Sequence, residues 1–214
     1  MKSESFEKKL YIVRDIEGAP NYQELKMIRQ LEERLAKDES FVGIAPFGSV
    51  VGGYSTEKSD LDLYVLYDNP DITKIDDLGK DVDVWEQEMK EAGRKAQVLF
   101  ENINSELVIQ ELREGAAYDN FGLVARKLAE MIRVVTGKKI EHYRKIISAE
   151  LNTLTPEQKN ELAEEVVDSI IRREQLGLRK KKERMSELSE ADHQKIMDER
   201  TKMWRKRVQK IWNI

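Results

Sequence analysis

Apolar residues recur at two different periods along this chain, and the change from one to the other divides it. Leu25, Ile28, Leu31 and Leu35 follow helical spacing, so an amphipathic helix is predicted over 22–37. Asn21, with Glu24 three residues later, reads as its capping pair. Phe41-Val-Gly-Ile-Ala45 predicts a first strand running into a Gly-Ser turn, and 61–67 a second strand ended by Asn69-Pro70. From Ile72 to Ala92 the period is helical again, with Ile75, Leu78, Val82, Trp85 and Met89 as the buried stripe and Gly93 at the C-cap. Trp85 on that stripe favours core packing over a base-stacking role. Ala96 to Phe100 predicts a third strand, with Ala96, Val98 and Phe100 on one face and Gln97, Leu99 and Glu101 on the other. A short helix over 104–114 follows, carrying Leu107, Ile109 and Leu112. Ahead of all this, Leu10-Tyr-Ile-Val13 is either an extra strand or a leader.

Beyond Gly115 every apolar pattern is helical. Val124, Leu128, Met131, Ile132 and Val135 predict a helix that stops at Gly137, and Ile140, Tyr143, Ile146 and Ile147 mark another over 138–151. Thr155-Pro156-Glu157 is a helix start, a capping hydroxyl followed by proline in the first turn. That helix runs through Leu162, Val166, Ile170 and Ile171 toward Leu176-Gly177. Ser189 with Asp192 opens the last, where Met197, Thr201, Trp204, Val208 and Ile211 form the apolar stripe and Trp204 and Trp212 serve as packing anchors.

Composition narrows the classes. With 214 residues the chain is one ordinary domain or two small ones. The absence of cysteine excludes disulfides, thiolate metal sites and a cysteine nucleophile. His142 and His193 lie too far apart in sequence to suggest a histidine metal cluster and read as polar surface residues. No apolar run approaches the ~20 residues that cross a bilayer, and the start, Met-Lys-Ser-Glu-Ser-Phe-Glu, has no signal core. A cytoplasmic protein with no membrane partner is expected. Net charge is −4, but Arg172 to Ile214 holds 14 Lys/Arg and 7 Asp/Glu, so the remainder carries −4 − 7 = −11. The basic end reads as meeting something acidic or packing against the chain's own acidic half, Arg179-Lys-Lys-Lys-Glu-Arg184 as a solvated helix face or hinge, and the last helix as one that binds RNA phosphates, covers the first half of the chain, or pairs with a second protein or a second copy of the chain.

The chemistry gathers in Pro46 to Tyr67. An apolar approach leads to Gly48-Ser49, ten residues follow, and Asp60-Leu61-Asp62 opens the second strand. Alternation puts Asp60 and Asp62 on one face, where two carboxylates repel unless a cation lies between them. Such oxygen ligands suit Mg²⁺ carried by a phosphate-bearing substrate. A surface hairpin with solvated aspartates is the plain alternative, but it leaves the two acids leading into an apolar run unexplained.

Gly48-Ser49 followed at this spacing by Asp60-x-Asp62 resembles the signature of the DNA polymerase beta-type nucleotidyltransferase superfamily, over roughly residues 40–118. The resemblance implies an α+β fold: a small mixed sheet flanked by helices, followed by an all-helical C-terminal domain. It divides the chain into 1–20, a nucleotidyltransferase domain over 21–118, and a helical domain over 119–214. It implies that Gly48 and Ser49 hold a nucleoside triphosphate and that Asp60 and Asp62 hold two Mg²⁺ ions. Lys58 is either a countercharge to the phosphates or a loop residue in water. Relatives carry a third acid on the third strand, and here Gln97 takes that position. An amide ligates weakly and accepts no proton. Glu101, on the same face four residues on, is a candidate substitute or simply a solvated strand end, and Asp81 and Asp83 are others. Two functions follow. One is a Mg²⁺-dependent transferase of a nucleoside monophosphate to a hydroxyl acceptor, a small molecule or a protein. The other is a catalytically weakened, nucleotide-binding, antitoxin-like partner protein of the same fold. An RNA-modifying nucleotide adder is a third reading, supported only by the basic C-terminal helices.

Overall fold

In the computed structural model, residues 22–48, 60–70, 75–134, 136–184 and 190–214 are described. They form an α+β fold of three strands and seven helices, with the helices continuous after the last strand. The chain makes two compact units: Met1–Asn102 with Arg133–Ile140, and Ile103–Ile132 with Glu141–Ile214.

In the first unit, α1 (Tyr22–Leu35) precedes β1 (Phe41–Phe47) and β2 (Leu61–Tyr67), and α2 (Asp76–Glu91) connects β2 to β3 (Ala96–Asn102). The sheet order is β1-β2-β3, with β1 antiparallel and β3 parallel to β2. A parallel neighbour requires a crossover connection, and α2 supplies it. Ile28, Leu31 and Leu35 of α1 and Leu78, Val82, Trp85 and Met89 of α2 bury against Leu61, Leu63, Val65 and Tyr67 of β2. Ala96, Val98 and Phe100 join the same cluster from β3. Both helices therefore cover one face of the sheet, and Trp85, 1% exposed, is a core residue. Arg34 reaches Glu88 through Nη2 at 2.6 and 2.7 Å, an exposed link between the two helices.

The outer edge of β1 is closed by a segment from far along the chain. The helix predicted to run to Gly137 ends at Arg133, and Thr136 instead pairs with Ile44, whose N–H donates to the Thr136 carbonyl at 2.9 Å. Helical periodicity loses here to the need of a buried strand to satisfy its backbone. The approach is close: a Cβ on Gly137, at φ +137°, would lie 2.5 Å from Gly43 Cα and 2.2 Å from the Val42 carbonyl oxygen.

The second unit holds α3 (Ser105–Tyr118), α4 (Gly122–Arg133) up to Ile132, α5 (Ile140–Leu151) from Glu141, α6 (Pro156–Arg184) and α7 (Glu190–Trp212). Asn104 caps α3 through the N–H groups of Glu106 and Leu107. Thr155 and Gln158 cap α6 reciprocally, each side chain accepting from the other's N–H at 3.2 Å. The side chains of α3 explain why it belongs here rather than with the sheet. Arg113 pairs with Glu150, Glu111 with Lys127, and the Ala116 carbonyl accepts from Gln158, all partners on helices of this unit. Along α7 the buried positions are Met197, Arg200, Trp204, Val208 and Trp212. Arg200 and Trp212 thus replace Thr201 and Ile211 on the expected stripe. Arg200, 3% exposed, grips Glu174 of α6, 1% exposed, and the Trp204 indole N–H donates to the same carboxylate at 2.9 Å. His142 is exposed, and the His193 side chain lies outside the described residues. No helix among the described residues is long and apolar enough to cross a membrane.

Candidate active site

The carboxylate end of the sheet is built by alternation and register together. Leu61 and Leu63 are buried in the helix-covered core, which sends Asp62 and Tyr64, both half-buried, to the opposite face. Asp60 stands exposed immediately before the strand. On β1, Phe47 is the register partner of Asp62, and its ring lies 4.7 Å from that of Tyr64.

Gly48 joins the turn to the acid. Its φ is +67°, in the left-handed region, and a Cβ added there would lie 2.2 Å from Asp62 Oδ2. Only a residue without a side chain lets the backbone turn this way while the carboxylate rests against it. The turn read as a phosphate cradle and the acid read as a metal ligand are therefore in direct contact. The remaining two residues expected at the phosphates, Ser49 and Lys58, lie outside the described residues, as does Asn21 of the expected helix cap.

The parallel ladder settles what β3 brings. Asp62 is registered with Gln97, and Gln97 is exposed. An amide, not a third acid, stands beside Asp62. Glu101 shares the face of Gln97 but is registered with Leu66, four residues along the strand. At ~3.3 Å per residue that is about 13 Å, beyond the reach of a glutamate side chain. Glu101 is therefore not brought to Asp62. It is not a solvated strand end either, since it is 8% exposed. Burial, and after it the Glu101 charge, push the Tyr67 phenol above its ordinary range. Asp81 and Asp83 do not come to the site, because α2 packs on the other face of the sheet.

One residue escaped the sequence reading. The Leu61 N–H donates to the Lys95 carbonyl at 2.9 Å, the bond that opens the ladder at the Leu61–Ala96 pair, and Lys95 lies one residue ahead of β3 as Asp60 lies one residue ahead of β2. Starting the strand one residue earlier would have put Lys95 on the face of Gln97 by the same alternation. Among the described residues there is no group of three or more histidine, cysteine or acidic side chains able to hold a metal.

Residues 28–118, from the middle of α1 to the end of α3, match the family model described as a nucleotidyltransferase domain. This match is consistent with the DNA polymerase beta-type superfamily and supports a general nucleotidyl transfer function. No curated protein and no solved structure matches the chain.

Proposed function

We propose that the protein is a Mg²⁺-dependent enzyme that moves a nucleoside monophosphate from a nucleoside triphosphate to a hydroxyl acceptor, a small molecule or a protein, and releases pyrophosphate. The observation that carries this is the contact of Gly48 with Asp62, which joins a glycine turn suited to polyphosphate to an acid suited to a dication. The donor set fits the metal: Asp60 and Asp62 offer hard oxygens from one side, and Mg²⁺ is commonly held by one or two carboxylates plus substrate phosphates. Asp60 and Asp62 would hold two ions, with Gly48, Ser49 and Lys58 on the phosphates. When bound, the ions lower the pKa of the attacking hydroxyl and neutralise charge on the polyphosphate. A cytoplasmic setting belongs to the same proposal and suits the cysteine-free composition.

The test is transfer of label from α-labelled triphosphates with Mg²⁺. Asp60→Asn with Asp62→Asn should bring transfer to background while circular dichroism stays unchanged and Tm is no lower than wild type. Transfer retained by a folded double variant overturns the assignment. A second reading, a nucleotide-binding partner protein with little turnover, is favoured by Gln97 beside Asp62. It predicts triphosphate binding without labelled product and a co-purifying protein.

A further inference from the structure

We infer that Lys95 is a further residue of the transfer site, placed to stabilise the charge that grows on the transferred phosphoryl group. The inference rests on the nucleotidyltransferase reading above. Three observations lead to it. First, Lys95 immediately precedes β3 as Asp60 immediately precedes β2, and the hydrogen bond from the Leu61 N–H to the Lys95 carbonyl holds the two strand starts together at the Leu61–Ala96 pair. Adjacent strands lie about 4.8 Å apart, well within the length of a lysine side chain. Second, the alternation of β3 extended back by one residue puts Lys95 on the face of Gln97, whose register partner is Asp62. Third, Lys95 is exposed and makes no ion pair among the described residues, so no carboxylate there already consumes its charge.

The β3 side of the site is therefore a cation and an amide. In the transfer, the acceptor oxygen bonds to the α-phosphorus and the bond from that phosphorus to the bridging oxygen of the β-phosphate breaks. Pyrophosphate leaves with the electron pair, and the acceptor proton passes to water, because Gln97 accepts none. Negative charge is spread over the non-bridging and leaving oxygens, and a fixed ammonium beside them stabilises that state more than the ground state. Lysine at this place has a second consequence of opposite sign. Without a polyphosphate, the same ammonium repels a dication approaching Asp60 and Asp62.

That pair of signs gives the test. Mn²⁺ alone, and Mn²⁺ with a non-hydrolysable triphosphate analogue, are titrated into wild type, Lys95→Ala and Lys95→Arg, with transfer measured in parallel. Lys95→Ala should lower kcat about 100-fold, with Lys95→Arg recovering most of it. It should bind free Mn²⁺ roughly threefold tighter and the Mn²⁺–analogue complex more weakly. A solvated lysine with no role leaves both affinities unchanged, and a damaged fold weakens both. Either result overturns the inference while leaving the wild-type activity, and with it the nucleotidyltransferase assignment, intact. A wild type that neither binds the analogue nor transfers label removes that assignment and the role of Lys95 with it.

Discussion

The two units treat charge in opposite ways. In the helical unit, Glu174 is buried and answered on the spot by Arg200 and the Trp204 indole. In the sheet unit, Asp60 stands exposed and Asp62 half-buried, with an amide, Gln97, as the strand neighbour of Asp62. A buried carboxylate with a bidentate guanidinium is complete in itself, and its removal is felt as stability. Carboxylates set side by side on an open sheet face are a liability for folding alone, and their removal is felt as lost binding. A carboxylate is thus structural in one unit and, in the proposed function, a ligand in the other, and neighbours decide which.

The largest expected effect is on activity: the Asp60→Asn, Asp62→Asn variant should lose transfer by at least ~10³-fold with Tm no lower than wild type, as expected when charge stabilisation is removed at the reacting centre. Next comes the helical unit. Arg200→Met leaves the Glu174 carboxylate buried without its cation and should cost about 3–5 kcal/mol in urea unfolding followed by far-UV circular dichroism. Replacing both, as Glu174→Leu with Arg200→Met, should recover most of that loss. A double variant no better than the single one would mean that the pair does more than satisfy itself. Gly48→Ala puts a methyl group into the Asp62 carboxylate and asks alanine for a left-handed φ, costing roughly 1–2 kcal/mol and lowering transfer more than ten-fold, read in the same assays. Gln97→Asp supplies the missing proton acceptor beside Asp62 and should raise transfer about 10- to 100-fold, within the range of general-base catalysis. No gain would show that the acceptor loses its proton without help from β3.

The smallest effect concerns pH. The folded state holds the Tyr67 proton more tightly than the unfolded chain, by burial first and the Glu101 charge second. That contribution to stability is full below the ordinary tyrosine range and is lost as pH rises through it and above. Glu101→Gln should flatten the alkaline fall of Tm without moving transfer at neutral pH. A large loss of transfer would restore Glu101 to the site.

Much of this was legible from residue patterns. Helical spacing locates all seven helices, because amphipathic faces repeat their signal over several turns, although α6 runs on to Arg184, past the expected end near Leu176-Gly177. Glycine at the turn and the i, i+2 acids were readable because each depends on local geometry alone. Other features depend on partners distant in sequence. Nothing near Val134 says that the Ile44 N–H needs the Thr136 carbonyl, so periodicity alone carries that helix on to Gly137. Arg200 was passed over because a hydropathy stripe has no place for a charge whose partner is 26 residues away. The resemblance puts α3 with the sheet, and the family match also ends there, yet its side chains pair with three later helices. For Glu101, parity along the strand was right, but being on one face does not mean being close.

The stitch between Ile44 and Thr136 has a bearing on how the protein comes into being. A ribosome that has delivered every strand and both aspartates has still not delivered Thr136 and Gly137, so the first-made unit waits for residues that come after α3 and α4. A truncation at Tyr118, the natural choice for an isolated catalytic fragment, would leave the β1 margin bare and inclined to recruit other chains.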